Sequence, residues 1–538
     1  MTRRVVAVLL DVLSAVLVML ACLAPGLIAS DSALALVRIP LEAVLAVVLL
    51  LLLPWPVARR VVAVVLAVVL VVSALLAALD RVFSATVGRS FDPVSGWPEL
   101  ADGYGVVSDS TGPVGAALLA GLVGLAALAT VALIAGALLR VSGLLRPRRR
   151  AALIGATAVA AGWLVVALVG AQLVPGEPVA AADTVSTGIA KTREAVATAG
   201  AQAARAREAA SDRYAQLPAT DLLRGLRGKD VIVVFVESYG RVAVQGTSFS
   251  PGVDAVLRRG TADLAAKGYS ERSAFLTSST FGGISWLAHS TLQTGLWIDS
   301  QQKYDQVTAG DRFTLSAAFR KAGWRTVSDV PSDTRPWPVG TSFYHYDEQL
   351  NATNVGYAGP RFSYARIPDQ YTLAHFQQRE LAKPHAPVMA EIDLVSSHTP
   401  WTPLPQLVPP DAIGDGSVYD PQPAQGLPPS VVWRDPEHVK QLYGESVQYS
   451  LNSLFSFLTT VDDPNLVLVV LGDHQPAAVV SGAGADHDVP ISIVAKDPAV
   501  LDRISTWKWE PGMLPSPSAP VWRMDAFRDR FLSAFGSG

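Results

Sequence analysis

Apolar residues follow two different rhythms along this chain. Up to about residue 176 they run in long unbroken blocks, and beyond it they break into short β-branched runs separated by polar turns. Five blocks, at residues 5–29, 39–58, 61–79, 113–139 and 151–174, are each long enough for a bilayer crossing, which takes roughly 20 residues. The first block has the look of a signal peptide. It is too long for one, and further blocks follow, so a retained helix is expected. Residues 178–215 are rich in Ala, Arg, Glu, Gln and Thr, with strong helix propensity over 190–213 and a stop at Leu217-Pro218. The pattern predicts a five-span helical membrane domain over 1–176 and a helical juxtamembrane linker over 177–220. A globular domain over 221–538 follows, long enough for one α/β unit with a sizeable core.

Within that last stretch, residues 231–236 (Val-Ile-Val-Val-Phe-Val) and 466–471 (Leu-Val-Leu-Val-Val-Leu) are continuous apolar runs. Runs of this kind belong to strands buried on both faces. Further short strands are expected at 325–329, 388–394 and 489–494, with amphipathic helices at 252–267, 314–322 and 439–458. This alternation predicts a mostly parallel sheet covered by helices.

Composition sharpens the division. The chain of 538 residues is 50% hydrophobic, with a mean hydropathy of +0.33, too apolar for a wholly soluble enzyme and too polar for a bare helix bundle. A net charge of −3 gives no reason to expect nucleic acid as a partner. The single cysteine, Cys22, lies in the first apolar block, so no intrachain disulfide can form. Arginines set the orientation. Arg3 and Arg4, Arg59 and Arg60, and the cluster Arg140, Arg146, Arg148, Arg149 and Arg150 fall on one side of the expected spans, against Arg38, Arg81 and Arg89 on the other. The positive-inside rule puts the N-terminus in the cytoplasm and the globular domain outside the cell membrane. Asp11 and Glu42 are the ionisable residues inside spans, both toward a span end, which reads as an anchor rather than an ion path.

The chemistry collects where strands end. The 231–236 run leads into Glu237-Ser238-Tyr239-Gly240, and the 466–471 run into Gly472-Asp473-His474-Gln475. Open α/β sheets carry their sites just beyond the carboxyl ends of strands. Two carboxylates and an imidazole suit a hard-to-borderline cation such as Mn²⁺, Mg²⁺ or Zn²⁺, if these strands are neighbours. Between them lies a hydroxyl-rich turn, Thr277-Ser278-Ser279-Thr280-Phe281-Gly282-Gly283-Ile284-Ser285. A hydroxyl beside a metal is the layout of phosphoryl or sulfuryl transfer. Ser285 and Thr280 are both candidate nucleophiles. Taken singly, Glu237 reads equally as a surface carboxylate and Asp473-His474 as a capped turn.

The ordered set of Glu237, Phe281-Gly282-Gly283-x-Ser285, Leu292-Gln293-Thr294-Gly295, Ser397-His398-Thr399-Pro400 and Gly472-Asp473-His474 resembles the lipoteichoic acid synthase branch of the alkaline phosphatase/sulfatase superfamily. Five membrane spans, a helical linker and an extracytoplasmic catalytic domain are also that family's arrangement, so the resemblance covers nearly the whole chain. It implies an alkaline phosphatase-like α/β domain holding one divalent metal ion by Glu237, Ser285, Asp473 and His474. Ser285 would be the nucleophile, in a position where the family commonly has Thr. His289 stands where the family has an acidic residue, one helical turn from Ser285, either altering the metal's surroundings or sitting as a satisfied helix-face histidine. His398 matches a histidine that contacts the transferred group, Trp337 an aromatic wall near the head-group pocket, and His487 a substrate or second-metal position.

The implied activity moves a phosphoglycerol-type group from a membrane phospholipid to an acceptor hydroxyl, on a cell-envelope glycopolymer or glycolipid, through a phosphoseryl intermediate. A phosphodiesterase or phosphatase, a phosphoethanolamine transferase and a non-catalytic envelope scaffold are the alternatives. A formylglycine sulfatase fits poorly, because Ser285-Trp286-Leu287-Ala288-His289 lacks the Pro and Arg such enzymes need. Phosphoethanolamine transferases usually staple their soluble domain with disulfides, and no cysteine follows Cys22.

Overall fold

The computed structural model describes residues 2–30, 32–382, 384–461, 463–482 and 484–536. The chain divides into two compact units, Met1–Ser84 with Arg89–Gln202, and Ala85–Gly88 with Ala203–Gly538.

The first unit is helical: α1 Thr2–Ala29, α2 Leu41–Leu52, α3 Pro56–Thr86, α4 Trp97–Leu145, α5 Arg149–Val169 and most of α6 Asp183–Ala210. Its interior is lined by small residues, among them Ala21, Cys22, Ala43, Ala46, Ala63, Ala67 and Ala135, whereas Val5, Leu9, Val57, Leu118 and Leu128 face outward. Small residues inside and large apolar ones outside suit helices that pack closely in lipid, where an outward leucine costs nothing. Asp11, the one acid in α1, pairs with Arg140 of α4 at 2.7 Å.

The helices differ from the five expected spans. Three described stretches are long and apolar enough to cross a membrane: Arg4–Ala29, Pro56–Thr86 and Gly112–Val169, the last of 58 residues. The block at 39–58 forms only the 12-residue α2, about 18 Å long against a hydrocarbon core of about 30 Å, because Pro54 and Pro56 end it. The blocks at 113–139 and 151–174 are joined through a short 3₁₀ turn, Arg146–Arg148. α4 itself kinks at Gly112, just before Pro113, where φ is 77°.

The second unit is built on a nine-stranded sheet. In chain order its main elements are β1 Asp230–Val236, α7 Ser250–Ala266, β2 Ser270–Thr277, α8 Ser285–Thr294, α9 Gln301–Thr308, α10 Leu315–Lys321, β3 Arg325–Val330, β4 Glu348–Asn351, α11 Asp369–Phe376 and β5 Val388–Leu394. They continue with α12 Pro436–Thr460, β6 Leu466–Gly472, β7 Asp488–Ala495, β8 Glu510–Pro511, β9 Val521–Arg523 and α13 Asp525–Phe535. The strand order is β8-β2-β7-β6-β1-β5-β3-β4, with β9 paired to β2. β6, β1, β5, β3 and β4 run parallel, while β7 runs antiparallel to both β6 and β2.

Successive side chains of β1 alternate between two cores. Ile232, Val234 and Val236 pack with Val253 and Leu257 of α7 and with Tyr443, Val447 and Leu451 of α12. Val231, Val233 and Phe235 pack with Leu287 and Leu292 of α8, Phe319 of α10 and Phe527 and Phe531 of α13. Every residue of β1 and β6 is buried, and each such Val or Leu contributes roughly 1.5–3 kcal/mol. The result is a helix–sheet–helix sandwich whose central strands are held too firmly to shift register.

Candidate functional site

The two acidic strand ends meet because β1 and β6 are adjacent parallel strands in matched register, Val236 opposite Gly472. Glu237 and Asp473 therefore leave the sheet side by side. Gly472 permits this approach: a Cβ there would collide with the Tyr239 backbone carbonyl. The tight turn after β1 places Ser238 at a φ of 57°, and the Ser238 N–H donates to Asp473 Oδ1 at 2.8 Å.

Ser285 arrives from the other side. Ile284 sits in the left-handed region, at φ 64° and ψ 45°, and Ser285 is the first residue of α8. For a β-branched residue that conformation is strained, and strain of this kind gathers where a side chain must be held for a purpose. The Ser285 hydroxyl donates to Glu237 Oε2 at 2.9 Å and lies 3.2 Å from His474 Nε2. His474 Nε2 is in turn 3.3 Å from Glu237 Oε1 and 3.4 Å from Asp473 Oδ2. Thr280, the competing hydroxyl, is buried beside Ser278 and has no contact with this group among the described hydrogen bonds.

These atoms fit a metal ion. Glu237, Asp473 and His474 each offer a ligand atom within 4.8 Å of the others. Asp473 Oδ2 is buried and accepts no hydrogen bond. His474 Nδ1 lies 2.8 Å from the Gln475 carbonyl, which can only accept, so that nitrogen keeps its proton and Nε2 is the one that would turn its lone pair to an ion.

The charges are strongly coupled. Burial pushes the Asp473 carboxyl up to about 6, with the Glu237 charge adding to the rise. Burial also works against an ionised Glu237, but His398 and His474 outweigh it and hold that carboxyl well below its usual range. Burial lowers His474, yet the Asp473 and Glu237 carboxylates win and carry it to about 9.

His398 comes to the same place: its imidazole is within electrostatic reach of Glu237 and is stacked on Tyr364 at 3.5 Å. Its Nδ1 donates to the Thr399 carbonyl at 2.6 Å, and burial pushes its pKa down against the pull of Glu237. The remaining expected residues lie further out. Trp337 packs on Tyr344 at 5.2 Å and lines a separate cavity of about 380 Å³ with Arg335, Gln349 and Asn351. His487 packs 5.3 Å from Phe281, in the turn before Ser285.

His289 does not join the quartet. Its ring stacks on Phe235 at 3.8 Å, and its Nδ1 faces Glu391 and Asp393 of β5. Sequence reasoning read 388–394 only as a further short strand and sought chemistry at strand ends, so it missed these two carboxylates within the strand. The available signal was Glu391-Ile392-Asp393, two acids two residues apart and so on one face of a strand.

Phosphoryl or sulfuryl transfer is chemistry that a half-buried hydroxyl among two carboxylates and an imidazole can perform. No protein-family model matches the chain, and no curated protein matches it by sequence. Among solved structures, the chain is similar to the integral membrane lipooligosaccharide phosphoethanolamine transferase A of Neisseria meningitidis, at 12% identity over 98% of this chain and 95% of that one, with a TM-score of 0.46. It is similar to the lipoteichoic acid synthase LtaP of Listeria monocytogenes, at 14% identity over 59% of this chain and 74% of that one, with a TM-score of 0.36. It is also similar to the Streptococcus pyogenes phosphoglycerol transferase GacH, solved with sn-glycerol-1-phosphate, at 13% identity over 62% and 91% and a TM-score of 0.35.

Proposed function

We propose that this chain is a membrane-anchored, metal-dependent transferase of the lipoteichoic acid synthase-like kind, moving a phosphoglycerol-type group from a lipid phosphodiester to an acceptor hydroxyl. The observation that carries the reading is the Ser285 hydroxyl, set by a strained turn within hydrogen-bond reach of both Glu237 and His474. A divalent ion held by Glu237, Ser285, Asp473 and His474 would lower the pKa of the serine hydroxyl and offset charge on the phosphate.

Ser285 Oγ, its proton released to solvent once the pKa is lowered, forms a bond to phosphorus while the bond from phosphorus to the diacylglycerol oxygen breaks, and it leaves again as the alkoxide in the second step. The leaving oxygen takes its proton from His398, whose imidazole a bound phosphodiester anion would favour in the charged form. The N-terminus of α8 directs backbone N–H groups at the phosphate. In the second step His398 Nε2 recovers a proton from the acceptor hydroxyl as that oxygen displaces Ser285. The acceptor is a sugar or glycerol hydroxyl of the cell envelope, and the catalytic unit works outside the cytoplasm.

The test is to incubate the full chain in phospholipid vesicles with headgroup-labelled phosphatidylglycerol and Mn²⁺. Diacylglycerol release together with label on Ser285, found by peptide mass spectrometry, is the expected result. Release of a free headgroup at the full rate with no acceptor present would point to a phosphodiesterase instead. No release from phosphatidylglycerol would overturn the donor assignment.

A further inference from the structure

We propose that His289, Glu391 and Asp393 form a second divalent-cation site, one step deeper along the same face of the sheet as the quartet. The register of β5 on β1 puts Asp393 opposite Phe235 and Glu391 opposite Val233. Phe235 is two residues before Glu237, so these side chains share the face that α8 covers. His289 lies one turn beyond Ser285 on α8 and is fixed by its stack on Phe235.

The spacing of the three groups is that of ligands. His289 Nδ1 is 3.5 Å from Glu391 Oε1 and 3.6 Å from Asp393 Oδ1, at or beyond the limit of a hydrogen bond. Ligand atoms held about 2.1 Å from one ion stand about 3.0–3.6 Å apart. The quartet shows the same signature at 3.3 and 3.4 Å. The second oxygen of Glu391 is already held, by Gln293 Nε2 and by the Tyr346 hydroxyl at 3.0 Å, which turns Oε1 toward His289. Outer partners that fix one carboxylate oxygen and leave the other free are typical of metal ligands. Asp393 Oδ1 is buried without a hydrogen-bond partner.

Charge points the same way, on the reading of the quartet as a metal site. Glu237, Asp473, Glu391 and Asp393 bring four carboxylates together on one covered face. One divalent ion in the quartet offsets two of those charges, and a second at His289 offsets the other two with both imidazoles neutral. One imidazole and two carboxylates suit Mn²⁺ or Zn²⁺.

The experiment measures metal by mass spectrometry on the full chain in detergent, loaded with Mn²⁺ or Zn²⁺ and desalted. The wild type is expected to hold two equivalents, and His289→Ala and Glu391→Gln one each. His474→Ala should also hold one, and the double variant of His289 and His474 none. Glu391→Gln preserves shape, so a folded protein is available even if His289→Ala unfolds, and thermal melting checks each variant. A wild type holding one equivalent that His289→Ala keeps and His474→Ala loses would leave an ion-paired imidazolium only and overturn the proposal. One equivalent lost in His289→Ala but kept in His474→Ala would support it and sink the quartet as a metal site. No retained metal at all would overturn both.

Discussion

Ser285 and Thr280 are five positions apart in one turn, and only their surroundings distinguish them. Ser285 faces two carboxylate-bearing strand ends, while Thr280 is buried against Ser278. Ser285→Ala should therefore reduce transfer by about 10³-fold or more while leaving the melting temperature within a few degrees. Thr280→Ala should keep most of the activity. Ser285→Thr should retain part of it, limited by room for a methyl group beside Ile284 and Trp286. Rates on labelled lipid with each purified variant decide the matter, and full activity in Ser285→Ala would remove the assignment. Glu237, Asp473 and His474 were legible in the sequence because a strand end names its own next residue. Glu391 and Asp393 were less so, since whether a carboxylate in a strand faces solvent or a helix depends on what covers that face.

Elements carry two further expectations. The end of β6 passes so close to the turn after β1 that Gly472 has no room for a side chain. Gly472→Ala should cost about 1–3 kcal/mol and displace Asp473, lowering bound metal and stability together. Unchanged metal content and melting temperature would contradict this crowding. On β3, Asp329 is almost fully buried, and its Oδ2 accepts no hydrogen bond. Burial, helped by the charge of Asp393, raises its pKa from the ordinary 3.8 to about 8. The folded state thus holds this proton where the unfolded chain has released it. Its stabilising contribution is complete below about pH 4 and is lost as pH rises to about 8, at a rate on the order of 1 kcal/mol per pH unit. Chemical denaturation across that range should show the slope, and Asp329→Asn should flatten it. An unaltered slope in that variant would assign the pH dependence elsewhere.

For the whole molecule, the expected result is that everything beyond the apolar helices lies outside the cytoplasm. It rests on the arginine asymmetry, with Arg59, Arg60 and the 140–150 cluster on one side. An alkaline phosphatase fused after the last residue should be active, and a fluorescent protein at the same place dark. The reverse pattern would refute the orientation.

The sequence by itself determined the division into an apolar helical part and an α/β part, because block length and β-branched runs are local properties. The strand at 388–394 was read to the residue, and 231–236 and 466–471 to within one residue at an end. Local pattern failed for β2, whose polar start at Ser270-Glu271-Arg272-Ser273 hides a strand paired on both edges. It left the count of helices crossing the membrane unconfirmed, since apolarity does not say where a helix ends or continues. Only the tertiary structure decided that β1 and β6 are neighbours in matched register. Only it turned Glu391 and Asp393 toward His289. Both facts join residues far apart in the chain, and such pairings are chosen by how whole faces bury against one another.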